Sequence, residues 1–182
     1  MKVSREQVAE NRQRILDAAA RLFRERGFES VTVAEVMSAA GLTHGGFYGH
    51  FDSKEALIDA AMAHRPSWQQ GWVTLESPER YADSYLSRQH RDSVGSGCQF
   101  AALGTEASRA SKEVRRTLTK SLRTQIDTLS ASSPGATQQE RRRAAIASLA
   151  TMMGGVMLAR LVDDAPLSDE ILAAAREALH LT

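Results

Sequence analysis

Between positions 11 and 26, Ile15, Leu16, Ala19, Leu22 and Phe23 recur at three- and four-residue intervals, the period of a helix with one apolar face. Arg26-Gly27 closes that segment, with Gly27 placed as a C-cap. In "TVAE", Thr32 and Glu35 have the spacing of a capping box. Val33, Val36, Met37 and Ala40 then share one face of a helix of about two turns, which Gly41 ends. Thr43 is placed to cap another helix, with Leu42 and Phe47 at the staple positions on either side. Phe47 and Phe51 are expected to pack inward. Ser53 opens the next helix, carrying Leu57 and Ile58 to about His64.

Beyond Arg65-Pro66 the pattern remains helical. Ser77-Pro78 supplies a cap followed by proline at the first helical position, which predicts a helix to about Ser93. "SVGSG" is a break, and a short helix begins near Cys98. Ser111 caps a helix carrying Val114, Leu118, Leu122, Ile126 and Leu129, and "SASSPGA" (130–136) reads as a loop. Thr137 and Glu140 form a second capping box, opening a long helix to about Asp163. Ser168, followed by Asp169 and Glu170, is expected to start the last one, with Ile171, Leu172, Ala175, Ala178 and Leu179 on one side. No internal repeat is present. The fold class is all-α.

Composition narrows the function classes. Net charge is only +1, so no global basic signal marks a nucleic-acid binder. Cys98 is the single cysteine, which excludes an internal disulfide framework and a zinc-type cysteine cluster. The N-terminal "MKVSREQVAENRQR" is too polar for a signal peptide. The most apolar run, 144–159, falls short of the ~20 residues of a membrane span and is bracketed by Arg141–Arg143 and Arg160. These features predict a soluble cytoplasmic protein without a membrane segment.

The sharpest question lies in "GLTHGGFYGHF" (41–51), which holds four glycines between two helical segments. Glycine costs a helix interior roughly 0.8–1.0 kcal/mol relative to alanine. A phosphate-cradling loop requires a strand before the glycines, and there is none. Three short helices with a tight Gly-containing turn between the second and third instead form a helix-turn-helix unit. There the third helix enters the major groove, and small residues let its backbone approach the DNA closely.

These residues resemble a known family. "TVAEVMSAAGLTHGGFYGHFDSKEALIDA" is similar to the DNA-binding signature of the TetR/AcrR transcriptional regulators, T-x-x-x-I-A-x-x-A-G-[VL]-[ST]-x-x-x-[LFI]-Y-x-[HY]-F-x-[SN]-K-E-x-L. The match runs over about residues 10–62. Gly46 and Gly49 depart from it, standing where larger residues are common, and bear on base preference. The resemblance implies a helix-turn-helix domain at 1–52 and a ligand-binding and dimerisation domain at 53–182.

By that resemblance, Thr32 and the amide end of its helix bind phosphate. Thr43, His44 and Gly45 face base edges, while Tyr48, His50 and Lys54 reach phosphates. Arg5, Arg12 and Arg14 add backbone charge. Residues 1–65 hold nine Lys and Arg against nine Asp and Glu, so placement must supply the positive face. His44 and His50 are six apart and do not share a helical face, so no metal site is expected. No cofactor is expected either.

The helix at 137–163 is apolar nearly all round from Ala144 to Val162, so it must be covered on more than one side. The resemblance implies a homodimer through the last two helices, about 137–163 and 168–180, with Gly154-Gly155 permitting close approach. It also implies a pocket for a small-molecule effector in the C-terminal part, for which Trp68, Trp72, Tyr85, Cys98, Phe100, Met153 and Met157 are candidates alongside plain core packing. The expected function is a ligand-responsive regulator, a repressor that binds a palindromic double-stranded operator as a dimer and is released by an inducer.

Cys98 keeps other readings open. It follows Gly97 at an expected helix N-terminus, where a thiolate is stabilised, and Arg88, His90 and Arg91 lie just upstream. The bland reading is a small buried residue. A redox or electrophile sensor on the same DNA-binding scaffold is one alternative. A Cys98-dependent enzyme is a second, although only His90 is near enough in sequence to serve as base and no orienting third group is evident. A helical adaptor is the third.

Overall fold

The computed structural model describes residues 4–64 and 78–180. Helix α1 spans Arg5–Ser30 and starts earlier than the apolar periodicity indicated, because Ser4 caps it by accepting the Gln7 amide at 3.1 Å. Gly27, with φ +81°, kinks the chain near its end. The kink frees the amides of Phe28 and Glu29, and the Glu106 carboxylate accepts them at 2.6 and 3.3 Å. The positive φ favours glycine, and a Cβ there would stand 2.6 Å from the Glu106 carboxylate, which would have to shift.

Helix α2 (Val33–Ala39) has the complete Thr32–Glu35 capping box, and α3 spans Lys54–Ala63 behind Ser53, whose hydroxyl accepts the Ala56 amide. The C-terminal part comprises α4 (Pro78–Tyr85), α5 (Arg88–Asp92), α6 (Gln99–Ala107), α7 (Lys112–Ser130), α8 (Gln138–Leu161) and α9 (Ala165–His180). Among the described residues there is no strand. The fold is all-helical, with an N-terminal helix-turn-helix and a C-terminal helical domain.

Two expectations are corrected. The single helix expected over 78–93 is two, because Ser87 caps a new start, accepting the His90 amide at 3.1 Å, and His90 turns inward to bond the Tyr85 carbonyl at 2.7 Å. The last helix begins at Ala165 rather than Ser168. Asp164 accepts the Leu167 amide at 3.0 Å, while Ser168 is buried and its hydroxyl donates to the Ala159 carbonyl.

Two apolar clusters result. One joins Ile15, Phe23, Met37, Phe47 and Leu57 of the N-terminal helices to Leu103 of α6 and Val114 and Leu118 of α7. The other gathers Tyr85, Leu86, Leu149, Met152, Val156 and Leu172. Helix α8 packs along α9 and α7 and buries Ala145, Leu149, Met152, Gly155, Val156 and Ala159. By length and composition alone, α8 is apolar enough to cross a membrane, beyond what the 144–159 run suggested. Its outer face leaves Ile146, Met157, Leu158 and Leu161 exposed, continued on α9 by Leu167.

Candidate nucleic-acid interface

The turn after α2 is built by its backbone. Gly41 takes φ +68° and its amide donates to the Ser38 carbonyl, while the Leu42 amide donates to Met37, both at 2.9 Å. That pair of bonds is a Schellman ending, which needs a left-handed residue at this position.

The following segment, His44–Gly49, is wound as a 3₁₀ helix, and Thr43 makes no side-chain cap to it. Both points correct the expectation of an ordinary capped helix. Phe47 is the anchor: it is buried, stacks on Phe51 at 5.9 Å and meets Tyr48 edge-on at 5.2 Å. Tyr48 faces out and is 71% exposed. Thr43, His44, Gly45, Gly46 and Gly49 are also exposed.

None of Gly45, Gly46 and Gly49 has a positive φ. A Cβ at Gly45 or Gly49 would meet nothing within 4 Å, and one at Gly46 would make only ordinary contact with Met37. Neither the backbone nor the packing of this chain requires glycine at these three positions.

Other expected contacts have partners already. The Thr32 hydroxyl donates to Glu35 at 2.7 Å and accepts the Glu35 amide at 3.2 Å, so its only proton is committed to the cap. Of the first-turn amides of α2, that of Glu35 is taken by Thr32, and those of Val33 and Ala34 have no partner within the helix. Bonds from Thr32, followed by Arg26 at 2.8 Å, hold the Glu35 carboxyl down to about 2. His50 is half-buried, and its carbonyl accepts from Arg12 at 2.8 Å. Lys54 donates to the Glu29 carbonyl at 3.3 Å, leaving the rest of its ammonium toward solvent. Arg12, expected to add charge toward the DNA backbone, is here a structural tie.

Of the described candidate pocket residues, Tyr85, Cys98 and Met153 come together, and Phe100 and Met157 lie elsewhere. Trp68 and Trp72 lie outside the described residues. Tyr85 is in the second cluster, against which Cys98 and Met153 pack; Phe100 packs on the first cluster, and Met157 is exposed on the outer face of α8. Sequence reasoning did not find Arg24 or the role of Arg160. Arg24 is 3% exposed and continues the row of Leu16 and Ala20 at four-residue spacing, a charged residue on a core face. That break in pattern was the available signal.

Comparison with known proteins agrees with this architecture. Residues 15–61 match the family model for bacterial regulatory proteins of the tetR family. Over 48 residues the chain is 50% identical to the HTH-type transcriptional repressor KstR2 of Rhodococcus jostii, covering 26% of this chain and 24% of that one. It spans about a quarter of the length of the curated relatives it matches. The reduced form of E. coli NemR superposes with a TM-score of 0.72 at 23% identity, covering 93% of this chain and 95% of that one. A TetR-family regulator from Cytophaga hutchinsonii gives 0.75 at 18%, covering 99% and 97%. At these identities the structures speak to the fold.

Proposed function

We propose that the chain is a transcriptional regulator of the TetR family, whose model it matches over residues 15–61, and that it represses transcription by binding a palindromic operator as a cytoplasmic homodimer, released by a small-molecule inducer. The observation carrying the DNA reading is the row of glycines at 45, 46 and 49, exposed and unneeded by the fold. A backbone kept bare toward solvent fits a surface that must approach another body closely.

In this reading Thr43, His44 and Gly45 lie over base edges, and Tyr48, His50 and Lys54 touch phosphates. Thr32 contributes through the amide end of α2, since its hydroxyl proton is held by Glu35. The same reading assigns DNA binding to residues 1–52 and effector binding and dimerisation to 53–182. Dimerisation is assigned to α8 and α9, whose outward apolar face runs through Ile146, Leu158, Leu161 and Leu167. Tyr85, Cys98 and Met153 remain the pocket side chains clustered together.

An enzymatic role for Cys98 has no support in the geometry. The Nε2 of His90 accepts the Cys98 amide at 2.9 Å and Nδ1 bonds the Tyr85 carbonyl, so neither ring nitrogen is free to act as base.

Operator binding across single-base variants at two salt concentrations tests the proposal. Lys54→Ala weakens all sequences equally and lowers the salt slope by about one. His44→Ala changes the preferred base, at a discrimination cost of roughly 1–3 kcal/mol. If the wild type shows no specific affinity for the DNA upstream of its own gene, the regulator reading fails.

A further inference from the structure

The start of helix α6 collects more hydrogen-bond donors than the fold uses. Cys98 is the N-cap residue of α6 and makes no side-chain cap bond to it, so first-turn amides are left open. Its own amide donates to His90 Nε2, which fixes the His90 tautomer with the proton on Nδ1, donating to the Tyr85 carbonyl. Burial holds His90 down to about 4, so this ring is neutral. The positive charge at the site comes from arginine.

Arg160 of α8 reaches over the same loop. Its Nε donates to the Arg91 carbonyl at 2.9 Å and its Nη2 to His90 at 2.7 Å, and Nη2 lies 3.2 Å from where a Gly97 Cβ would stand. Its Nη1 is buried without an acceptor. Tyr85 is 1% exposed, and its hydroxyl lies against Cys98 without a partner in hydrogen-bonding geometry. Burial pushes the Tyr85 phenol well above its ordinary value, so it stays a neutral donor. Arg24 of α1, whose Nη1 donates to the Ala20 carbonyl, adds a second positive charge within electrostatic range of Cys98. The neighbouring acids, Asp92 and Asp169, are paired with Arg88 and Arg91.

Buried donors without acceptors carry an uncompensated desolvation cost, and these stand beside a helix N-terminus, the end that attracts anions. Cys98 itself is only partly buried, which makes the spot reachable. We propose that the effector carries an anionic oxygen group, a carboxylate in its simplest form, which seats beside Cys98 at the start of α6 and accepts from Tyr85 and Arg160. This rests on the ligand-responsive reading above and gives it a ligand class. The apolar remainder of such a molecule meets Tyr81, Ile126, Leu129 and Met153, which line the edge of the same cluster. Arg24 links the anion to α1 and through it to the DNA-binding unit.

Cys98 is the only cysteine, so its alkylation reports the site before the effector is known. In each case the thiolate sulfur forms a bond to the reagent's methylene carbon and iodide leaves. The reagents are iodoacetate, which brings a carboxylate, and iodoacetamide, which is neutral. In the folded full chain the iodoacetate-to-iodoacetamide rate ratio is expected to exceed that of the urea-unfolded chain by about tenfold. Arg160→Met and Tyr85→Phe bring the ratio down toward the unfolded value, and Arg160→Lys keeps most of it. Octanoate protects Cys98, whereas octan-1-ol does not.

Equal ratios in folded and unfolded chain overturn the proposal, as does a ratio unchanged in both Tyr85→Phe and Arg160→Met. If Arg160→Met does not fold, as judged by circular dichroism, the wild-type ratio and Tyr85→Phe decide. Gel shift separates the two levels. Specific operator binding with a flat ratio removes only the anion site, whereas a high ratio without operator binding removes the regulator reading and leaves the site standing.

Discussion

Arg12 on α1 donates through Nη1 to the His50 carbonyl at 2.8 Å and lies 4.3 Å over the Phe51 ring. One side chain thus ties the first helix to the end of the glycine-bearing segment. The tie matters because that segment is a short 3₁₀ winding with no side-chain cap, held otherwise by Phe47 and a few backbone bonds. Arg12→Met removes the charge-assisted bond and the cation–π contact. It is expected to lower unfolding free energy by about 1–3 kcal/mol, measured in urea. Operator affinity falls with no change in base preference, because the whole segment loses its hold rather than one contact.

The glycines make the opposite prediction. Gly45→Ala and Gly49→Ala meet open space and no positive φ, so each raises stability by about 0.5–1 kcal/mol. Operator affinity falls all the same, and Gly45→Leu abolishes specific binding. Thermal melts read beside gel shifts check both halves. A Gly45→Leu protein that binds normally removes the close-approach explanation.

Gly154 and Gly155 separate packing within a subunit from packing between subunits. Close approach was expected of the pair at a dimer crossing. A Cβ on Gly155 would stand 2.8 Å from Ala175 and 2.9 Å from Leu86, so Gly155 serves the α8–α9 contact inside one chain. Gly155→Leu overpacks that contact and destabilises the subunit by about 1–3 kcal/mol. Gly154 has nothing within 4 Å. Gly154→Leu leaves the subunit folded and weakens the dimer, as sedimentation will show.

His90 sets a pH dependence. Burial, aggravated by Arg160, lowers its pKa from 6.5 to about 4. The unfolded chain therefore binds this proton more readily, and stability falls as pH drops from about 6.5 to about 4. The full effect is about 3 kcal/mol. His90→Gln, compared by the slope of stability against pH rather than by absolute value, loses the dependence in that window. An unchanged slope means that His90 is not the titrating group.

The local elements were legible because their causes are local. The Thr32–Glu35 and Thr137–Glu140 boxes, the Gly41 ending, the Ser53 and Ser111 caps and the inward Phe47 depend on residues at most a few positions apart. The helix-turn-helix unit and its exposed glycines follow from that spacing. Where an expectation failed, a distant partner intervened or a local choice had two solutions. Ser168 looked like a cap and became a buried donor to Ala159, because Asp164 took the end of the helix.

Tertiary structure alone decided which side of Gly154-Gly155 faces inward and what Glu106 does for the Gly27 kink. It also brought Tyr85, Cys98 and Arg160 together around one thiol, with the charge of Arg24 on α1 within electrostatic range. Those residues lie on four helices, and a 3.6-residue period fixes a face within each helix but not which faces meet. The meeting is set by how two apolar clusters fill against one another, a property of the whole packed volume that no window of sequence contains.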